Sequence, residues 1–252
     1  MRLPFLAGLL LLGPIILPAQ ADEPAATPYR PTVSNPAQLP VPGWIEIEAG
    51  VQDSREPDGP QQSLPYLLKL AFTDRFGILL GGDAYLSAPD GNGRRQNGIG
   101  DTSLILKGAL PVSKATMLGL ELGSTLASSA AGIGNTQADY TINGILSTDL
   151  ASYHLDLNLN ATRLGDPAGA VRAQGGWAAS LSRGFGEKLN GAAEISGITQ
   201  DHTAPSARFL TALSYSQTPR LVWDAGASWG LNRQSEDWAL FAGVTILAQR
   251  LF

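Results

Sequence analysis

Apolar and polar residues alternate with a period of two along most of the chain from Trp44 onward. In the clearest stretch, residues 153–162, one set of alternate positions reads Tyr, Leu, Leu, Leu and Ala, and the other reads His, Asp, Asn, Asn and Thr. Only an extended strand places two such sets on opposite faces, because successive side chains of a strand point to opposite sides. The pattern therefore predicts an all-β protein.

Twelve segments carry this alternation, near residues 44–52, 64–73, 76–87, 99–110, 115–126, 136–148, 152–164, 172–183, 189–199, 206–217, 221–231 and 237–249. Their connections are alternately short and longer, and residues 53–63 and 87–98 are among the longer ones. Short periplasmic turns and longer external loops are typical of outer-membrane barrels, whose even strand number leaves both ends in the periplasm. We therefore predict a transmembrane antiparallel up-and-down β-barrel of about 12 strands, within a range of 10–14, over residues 44–252.

A soluble β-sandwich would show the same alternation, with its apolar residues facing a shared core. Three features favour the membrane instead. The segments approach or exceed the 9–11 residues that cross a bilayer at a tilt, and charged residues concentrate in connections or on the polar face. Aromatic residues of the apolar face also lie mostly near segment ends, as a headgroup girdle requires: Trp44, Tyr66, Phe76, Tyr153, Phe209, Tyr215, Trp223, Trp229 and Trp238.

Composition narrows the classes of partner. Charged residues make up 15% of the chain, against about 25% in an average soluble protein, and no stretch after residue 20 approaches the roughly 18 apolar residues of a membrane-spanning helix. The absence of cysteine excludes disulfides and thiolate sites, and a net charge of -5 gives no basic surface for nucleic acid. The predicted partners are outer-membrane lipid, lipopolysaccharide, the barrel-assembly machinery and a small-molecule solute, with no nucleic acid, cofactor or metal ion.

The first residues predict export. Arg2 precedes an apolar run from Leu6 to Leu17, and Ala19-Gln20-Ala21 follows. This order is typical of a secretory signal peptide over residues 1–21, cleaved after Ala21, and it predicts a location in the cell outer membrane of a Gram-negative envelope. An uncleaved helical anchor is the alternative, but prolines interrupt the short run.

The next segment, residues 22–43, is rich in proline and has no periodicity. Such a composition favours an extended chain over a regular element, so we predict a Pro-rich periplasmic lead-in. The alternative is that this segment folds back into the lumen of the barrel.

If the apolar faces contact lipid, the polar faces line the lumen. The predicted lumen then contains His154 and an excess of acidic over basic residues: Glu46, Glu48, Asp83, Asp101, Glu121, Asp139, Asp156, Glu194 and Asp224 against Lys69, Lys107, Arg172 and Arg208. A net acidic lumen favours cations over anions. The alternative is a structural network, in which buried charges pair and hold neighbouring strands together.

Two histidines raise the question of catalysis, since some outer-membrane barrels hydrolyse lipids or peptides with a His beside a nucleophile or carboxylate. His154 lies two residues before Asp156, and His202 follows Asp201 in a predicted external loop. Neither lies in a recognisable lipase or protease motif. We therefore predict no catalytic residues and no enzyme activity, with a hydrolase as the least favoured alternative.

The stretch from Gly98 to Lys107, GIGDTSLILK, resembles a strand of the bacterial outer-membrane proteins named for the MetA pathway of phenol degradation and regarded as transporters. The similarity extends more loosely from about Trp44 to Phe252, and the terminal Phe resembles the signal that the barrel-assembly machinery recognises, although Arg250 departs from it. The resemblance implies a channel for small, often aromatic or hydrophobic, molecules. The sequence therefore predicts a porin-like passive channel or transporter, with a non-conducting structural or envelope-interaction barrel as the alternative.

Overall fold

The computed structural model describes residues 23–90, 94–130, 133–165, 173–201 and 203–252. Their regular structure consists of β-strands: β1 (Trp44–Glu56), β2 (Gly59–Ala71), β3 (Phe76–Pro89), β4 (Arg95–Gly98), β5 (Thr102–Pro111), β6 (Thr116–Leu126), β7 (Asp139–Leu150), β8 (Tyr153–Arg163), β9 (Ala173–Phe185), β10 (Leu189–Gln200), β11 (Thr203–Thr218), β12 (Leu221–Gly230) and β13 (Trp238–Arg250). None of the described ranges contains a helix long and apolar enough to cross a membrane. The predicted signal peptide lies outside the described residues.

The strands close into a barrel. Neighbouring strands pair antiparallel, β3 pairs with both β2 and β5, and β1 pairs with β13 from Trp44 opposite Arg250 to Arg55 opposite Trp238. The short β4 pairs with the distal end of β3 in the same register as β5, so it lies in line with β5 and is separated from it by residues 99–101. The predicted fold class, an antiparallel up-and-down barrel of 12 strands, is confirmed, with β4 as one additional strand.

Two connections differ from the prediction. Residues 53–63, expected to form a long loop, instead extend β1 and β2, which pair as far as Glu56 and Gly59. Pairing as far as the hairpin tip satisfies the backbone groups of both strands, and Gly59 adopts the positive φ of 132° that its turn requires. The predicted strand at 99–110 begins only at Thr102, because the N–H of Gly100 bonds to the carbonyl of Asp83 and leaves the ladder.

Exposure is inverted relative to a soluble protein. Leucines of the outer face are about half exposed, including Leu104 at 46% and Leu120 at 48%, whereas Lys69, Lys107 and Glu194 on the inner face are at most 1% exposed. An apolar exterior around a charged interior suits a barrel surrounded by lipid.

Residues 23–43, hereafter the luminal segment, lie inside the barrel. The N–H of Ala26 bonds to Pro219 in the turn after β11, and the N–H of Gly43 bonds to Ala71 at the end of β2. Both contacts lie at the terminal end of the barrel, where β1 begins and β13 ends. Between them the segment runs inward as far as Asn35, which contacts Asn158 of β8, and then returns. The segment is therefore a loop inserted from the terminal end, with its apex facing the opposite, distal end.

Candidate solute pathway

Two buried lysines surround Tyr29 of the luminal segment. Lys69 Nζ lies 2.6 Å from both Glu46 Oε1 and Glu48 Oε1 and donates to the carbonyl of Thr27 at 2.6 Å. Its ammonium group also lies 3.8 Å from the centre of the Tyr29 ring. A desolvated cation gains from a ring face as well as from carboxylates, so this cluster ties β1 and β2 to the segment.

The second lysine, Lys107 of β5, makes an equivalent set of contacts. Its Nζ lies 3.0 Å from Glu121 Oε1, donates to the carbonyl of Pro36 at 2.5 Å and lies 4.1 Å from the Tyr29 ring centre. Tyr29 is thus held between two ammonium groups, and its own hydroxyl donates to the carbonyl of Gln38 at 2.6 Å.

Backbone N–H groups of the luminal segment donate hydrogen bonds to several carboxylates of the wall. Glu48 accepts hydrogen bonds from the N–H groups of Tyr29 and Arg30, and Glu194 Oε2 accepts from those of Val33 and Ser34. Donors of this kind stabilise a buried carboxylate without a neighbouring cation. Much of the predicted excess of acid therefore faces the segment, and little of it is left to select a solute.

His154 lies near the terminal end. Its Nδ1 is 2.6 Å from Asp149 Oδ1 and its Nε2 is 3.3 Å from Asp156 Oδ1. Asp156 in turn accepts a short hydrogen bond from Ser147, whose hydroxyl oxygen accepts the N–H of Ala37 at 2.7 Å. With a carboxylate on each ring nitrogen, the imidazole links the end of β7 to Asp156 of β8, and Ser147 connects Asp156 to the luminal segment.

Two other predicted lumen residues bind connections between strands. Asp101 accepts the N–H groups of Ser128, Ser129 and Asn135, and Asp139 accepts those of Gly165 and the Asn135 side chain. These two acids therefore fasten loops at the distal end.

The remaining predicted residues have different surroundings. Asp83 is half-buried in β3, Arg208 lies 3.4 Å from Glu236, and Asp224 pairs with Arg30. Arg172, like His202 in the hydrolase alternative, lies outside the described residues.

A cavity of about 430 Å³ lies between the apex of the luminal segment and the distal end. Most of its lining residues are polar or charged, among them Asn143, Asn158, Gln174, Glu56 and the ion pair of Arg208 with Glu236, and apolar residues such as Ile198 make up the rest. Val33, at the segment apex, is 45% exposed and contributes to the floor. We call this space the vestibule. Below it, Ala37 and Pro40 of the segment are buried, as are Leu79 and Ile145 of the wall. No cluster of His, Asp or Glu suited to a metal ion occurs in the described ranges.

Sequence reasoning missed the residues that the luminal segment contributes. Tyr29, Arg30 and Asn35 lie in a stretch without periodicity, so alternation carries no information about them. The surplus of inward-facing carboxylates was an available clue, because buried acids require donors and the strands alone supply too few.

Solved structures similar to this chain include outer-membrane channels and porins. An outer-membrane channel from Pseudomonas putida F1 aligns with a TM-score of 0.66 at 14% sequence identity, over 83% of this chain and 97% of that chain. The NanC porin aligns with a TM-score of 0.59 at 10% identity, over 80% and 98%, and the KdgM porin with 0.54 at 13%, over 81% and 99%. The structural alignments establish a shared barrel fold, and at identities this low they establish nothing further.

No family model and no curated protein sequence matches the chain. The resemblance to proteins named for phenol degradation therefore stays a prediction.

Proposed function

We propose that this protein is an outer-membrane barrel for passive passage of small solutes, which the luminal segment holds closed. The observation that carries the proposal is the vestibule, a polar cavity within the barrel that ends on an inserted loop. The loop is attached by ion pairs and hydrogen bonds. Contacts of that kind can be exchanged for water, which makes the loop a removable obstruction.

Orientation follows from the predicted topology. Chain ends and short turns share the terminal end of the barrel, which corresponds to the periplasm in such proteins. The vestibule then opens outward, and the luminal segment enters from the periplasmic side.

Conductance tests the proposal. The wild-type barrel and a variant lacking residues 23–43 are reconstituted in planar lipid bilayers. We expect low conductance from the wild type and a stable open level from the deletion, because the loop fills the lumen between the vestibule and the terminal end. Both proteins should migrate faster on gels when unheated, which verifies barrel closure. A folded deletion variant that conducts no ions would refute the channel.

A non-conducting envelope barrel is the second candidate, and the buried fit of the luminal segment favours it. In that case residues 23–43 fill the lumen permanently, and the Pro-rich segment also docks a periplasmic partner. Deleting the segment would then abolish an interaction and leave conductance unchanged. The bilayer experiment separates the two candidates directly.

Location, export and assembly are part of the same proposal. A signal peptide over residues 1–21 would direct export, the barrel-assembly machinery would insert the barrel, and lipid and lipopolysaccharide would surround it. Fractionation of expressing cells checks this: the protein should sediment with the outer membrane and begin at Asp22. A soluble periplasmic protein would contradict it.

The hydrolase hypothesis has little support from His154, since Asp149 and Asp156 flank its ring nitrogens. A base needs a free nitrogen directed at a nucleophile or water. Any lipase or protease activity of the purified barrel should persist in the His154→Ala and His202→Ala double variant.

A further inference from the structure

The outer face of the barrel carries a shallow apolar groove in its terminal half. Its floor is formed by β10 and its sides by the two neighbouring strands: Gly191 and Ala193 below, Leu181 and Phe185 of β9 on one side, and Leu213 of β11 on the other. The groove has a volume of about 740 Å³. Because the outer face of such a barrel contacts lipid, the groove opens to the hydrocarbon layer of the membrane.

The strand register explains the shape of the groove. Leu181 lies opposite Ala193, and Gly191 lies opposite Leu213. Neighbouring strands are about 4.8 Å apart, so the two sides stand roughly 10 Å apart across a floor that is one strand wide. The Phe185 ring leans over Gly191, where an added Cβ atom would lie 2.9 Å from Cε2 of that ring. The small residues keep the floor low, and the resulting width accepts one extended hydrocarbon chain.

An arginine stands at the terminal end of the groove. Arg183 is exposed and lies opposite Gly191. Its guanidinium group lies 5.3 Å from the centre of the Tyr153 ring and 5.9 Å from that of Phe185, and its Nη1 donates to the Tyr153 hydroxyl at 3.4 Å. It forms no ion pair with any carboxylate that the structure describes. A cation on a lipid-facing surface without a counterion favours an anionic group from outside the chain.

The level of Arg183 along the barrel matches the headgroup layer. Tyr153, Tyr215 and Trp223 lie on the same face near the same end, and their side chains are 41%, 46% and 49% exposed. Aromatic rings in such a girdle mark the boundary between hydrocarbon and headgroups. Lipid phosphates lie at this boundary, and a guanidinium group binds phosphate through paired N–H donors.

We propose that the groove is a binding site for a glycerophospholipid of the leaflet at the terminal end, with one acyl chain over Gly191 and Ala193 and its phosphate on Arg183. The inference goes beyond the proposed channel and does not depend on solute passage. A second copy of this chain is the alternative occupant. A symmetric contact through this face would bring two unpaired Arg183 side chains together in an apolar layer, and their repulsion opposes it.

Native mass spectrometry of the purified full barrel in a neutral detergent tests the site, with dipalmitoyl phosphatidylglycerol as the probe. Dipalmitoylglycerol, which has the same chains and no phosphate, is the reference ligand. We expect the phospholipid to bind about fivefold more tightly than the reference, since one arginine contributes about that much to the binding of anionic lipid. Arg183→Ala should remove this difference. Arg75→Ala, an exposed arginine in a turn at the same end, is the matched control and should bind both lipids as the wild type does.

A second variant tests the floor of the groove. Ala193→Trp fills the space above β10 and should weaken the binding of both lipids about fivefold, because the acyl chain loses contact with the floor. Ala161→Trp, an exposed alanine of β8 near the distal end, is its control and should leave binding unchanged.

Heat-modifiable gel migration confirms that each variant is folded, and Ala193→Leu replaces Ala193→Trp if the larger side chain fails this check. Equal phospholipid affinity in the wild type and the folded Arg183→Ala variant would overturn the proposal, as would equal affinity of the wild type for the two lipids. A dimer mass that disappears in Ala193→Trp would place a second copy in the groove and would also overturn it. None of these results bears on bilayer conductance, so the lipid site and the channel are tested separately.

Discussion

The guanidinium group of Arg30 meets the carboxylate of Asp224 through two hydrogen bonds, from Nε to Oδ2 at 3.1 Å and from Nη2 to Oδ1 at 3.0 Å. The pair joins the luminal segment to β12 inside the barrel, where the Asp224 side chain is 3% exposed. A bidentate pair fixes orientation as well as distance. Removing one partner of a buried pair typically costs about 3–5 kcal/mol, because the other charge is left uncompensated.

Arg30→Ala should therefore loosen the luminal segment and raise channel opening. The uncompensated Asp224 then favours entry of water and cations where the guanidinium had been. Single-channel recording should show longer or more frequent open events than in the wild type. Arg75→Ala, an exposed arginine in the turn after β2, is the control and should record as wild type. Unchanged opening in folded Arg30→Ala would show that this pair does not hold the segment.

The barrel could be predicted because the alternation of apolar and polar residues that specifies each strand is local and repeats along the chain. The alternation in β8 assigns Leu157 outward and Asp156 inward without knowledge of any partner strand, and Leu157 is indeed exposed and Asp156 buried. The ends of strands were harder to place. Whether β1 stops at the membrane or continues to Glu56 depends on cross-strand pairing with Gly59, which a single-strand pattern does not contain.

Contacts of the luminal segment could not be predicted for a related reason. Arg30 and Asp224 are 194 positions apart in sequence, and nothing in a Pro-rich stretch indicates which carboxylate it approaches. Alternation assigns Asp224 to the inner face, but it could not show that its partner comes from outside the strands. The pairing of Lys107 with Glu121 could be predicted from the sequence, because β5 and β6 are adjacent along the chain.

Lys69→Met should destabilise the barrel itself. The substitution leaves Glu46 and Glu48 without their shared ammonium group, and all three side chains are at most 2% exposed. The expected loss is about 3–5 kcal/mol of unfolding free energy, as for other broken buried pairs. The temperature at which the fast-migrating gel form disappears should fall. Lys114→Met, in the exposed turn before β6, should not change that temperature, and an equal fall in both variants would count against the buried cluster.

Single cysteines can report which part of the luminal segment faces the vestibule. The chain contains no cysteine, so any labelling arises from the introduced residue. Val33→Cys should react in intact cells with a thiol reagent too large to cross the outer membrane, because Val33 is 45% exposed at the vestibule floor. Ala37→Cys should remain unlabelled, since Ala37 is fully buried. Labelling of Ala37→Cys alone would reverse the assigned direction of the loop.

Acid should release the distal connection that Asp101 fastens. Partial burial opposes ionisation, but the N–H groups of Asn135, Ser129 and Ser128 outweigh it and hold the pKa of Asp101 below its usual value. Because the folded-state pKa of Asp101 is depressed, its ionised carboxylate stabilises the folded connection fully above the unfolded-state pKa, about 3.9. This stabilisation is lost as pH falls through the folded-state pKa. Hydrogen exchange at these amides, corrected for intrinsic rates, should lose protection as pH falls below the unfolded-state pKa and through the lower folded-state pKa of Asp101.

The Asp101→Asn variant provides the comparison for that experiment. An uncharged amide accepts hydrogen bonds more weakly than a carboxylate, so protection should already be low near neutral pH and change little on acidification. Equal protection in both proteins at every pH would show that the Asp101 charge does not fasten the connection.

Filling space on the inner wall should displace the luminal segment without altering any charge. A Cβ atom at Gly119 of β6 would lie 3.1 Å from Ala37 Cα and 3.1 Å from Ile145 Cβ, closer than side chains normally pack. Gly119→Val should therefore push the segment from the wall and raise conductance in bilayers, in the same direction as Arg30→Ala. Gly123→Val, four positions further along β6 and on the same face, is the matched control, because a Cβ there meets its nearest atom at 3.4 Å. If Gly119→Val folds and conducts no more than Gly123→Val, contact between Ala37 and the wall does not contribute to closing the barrel.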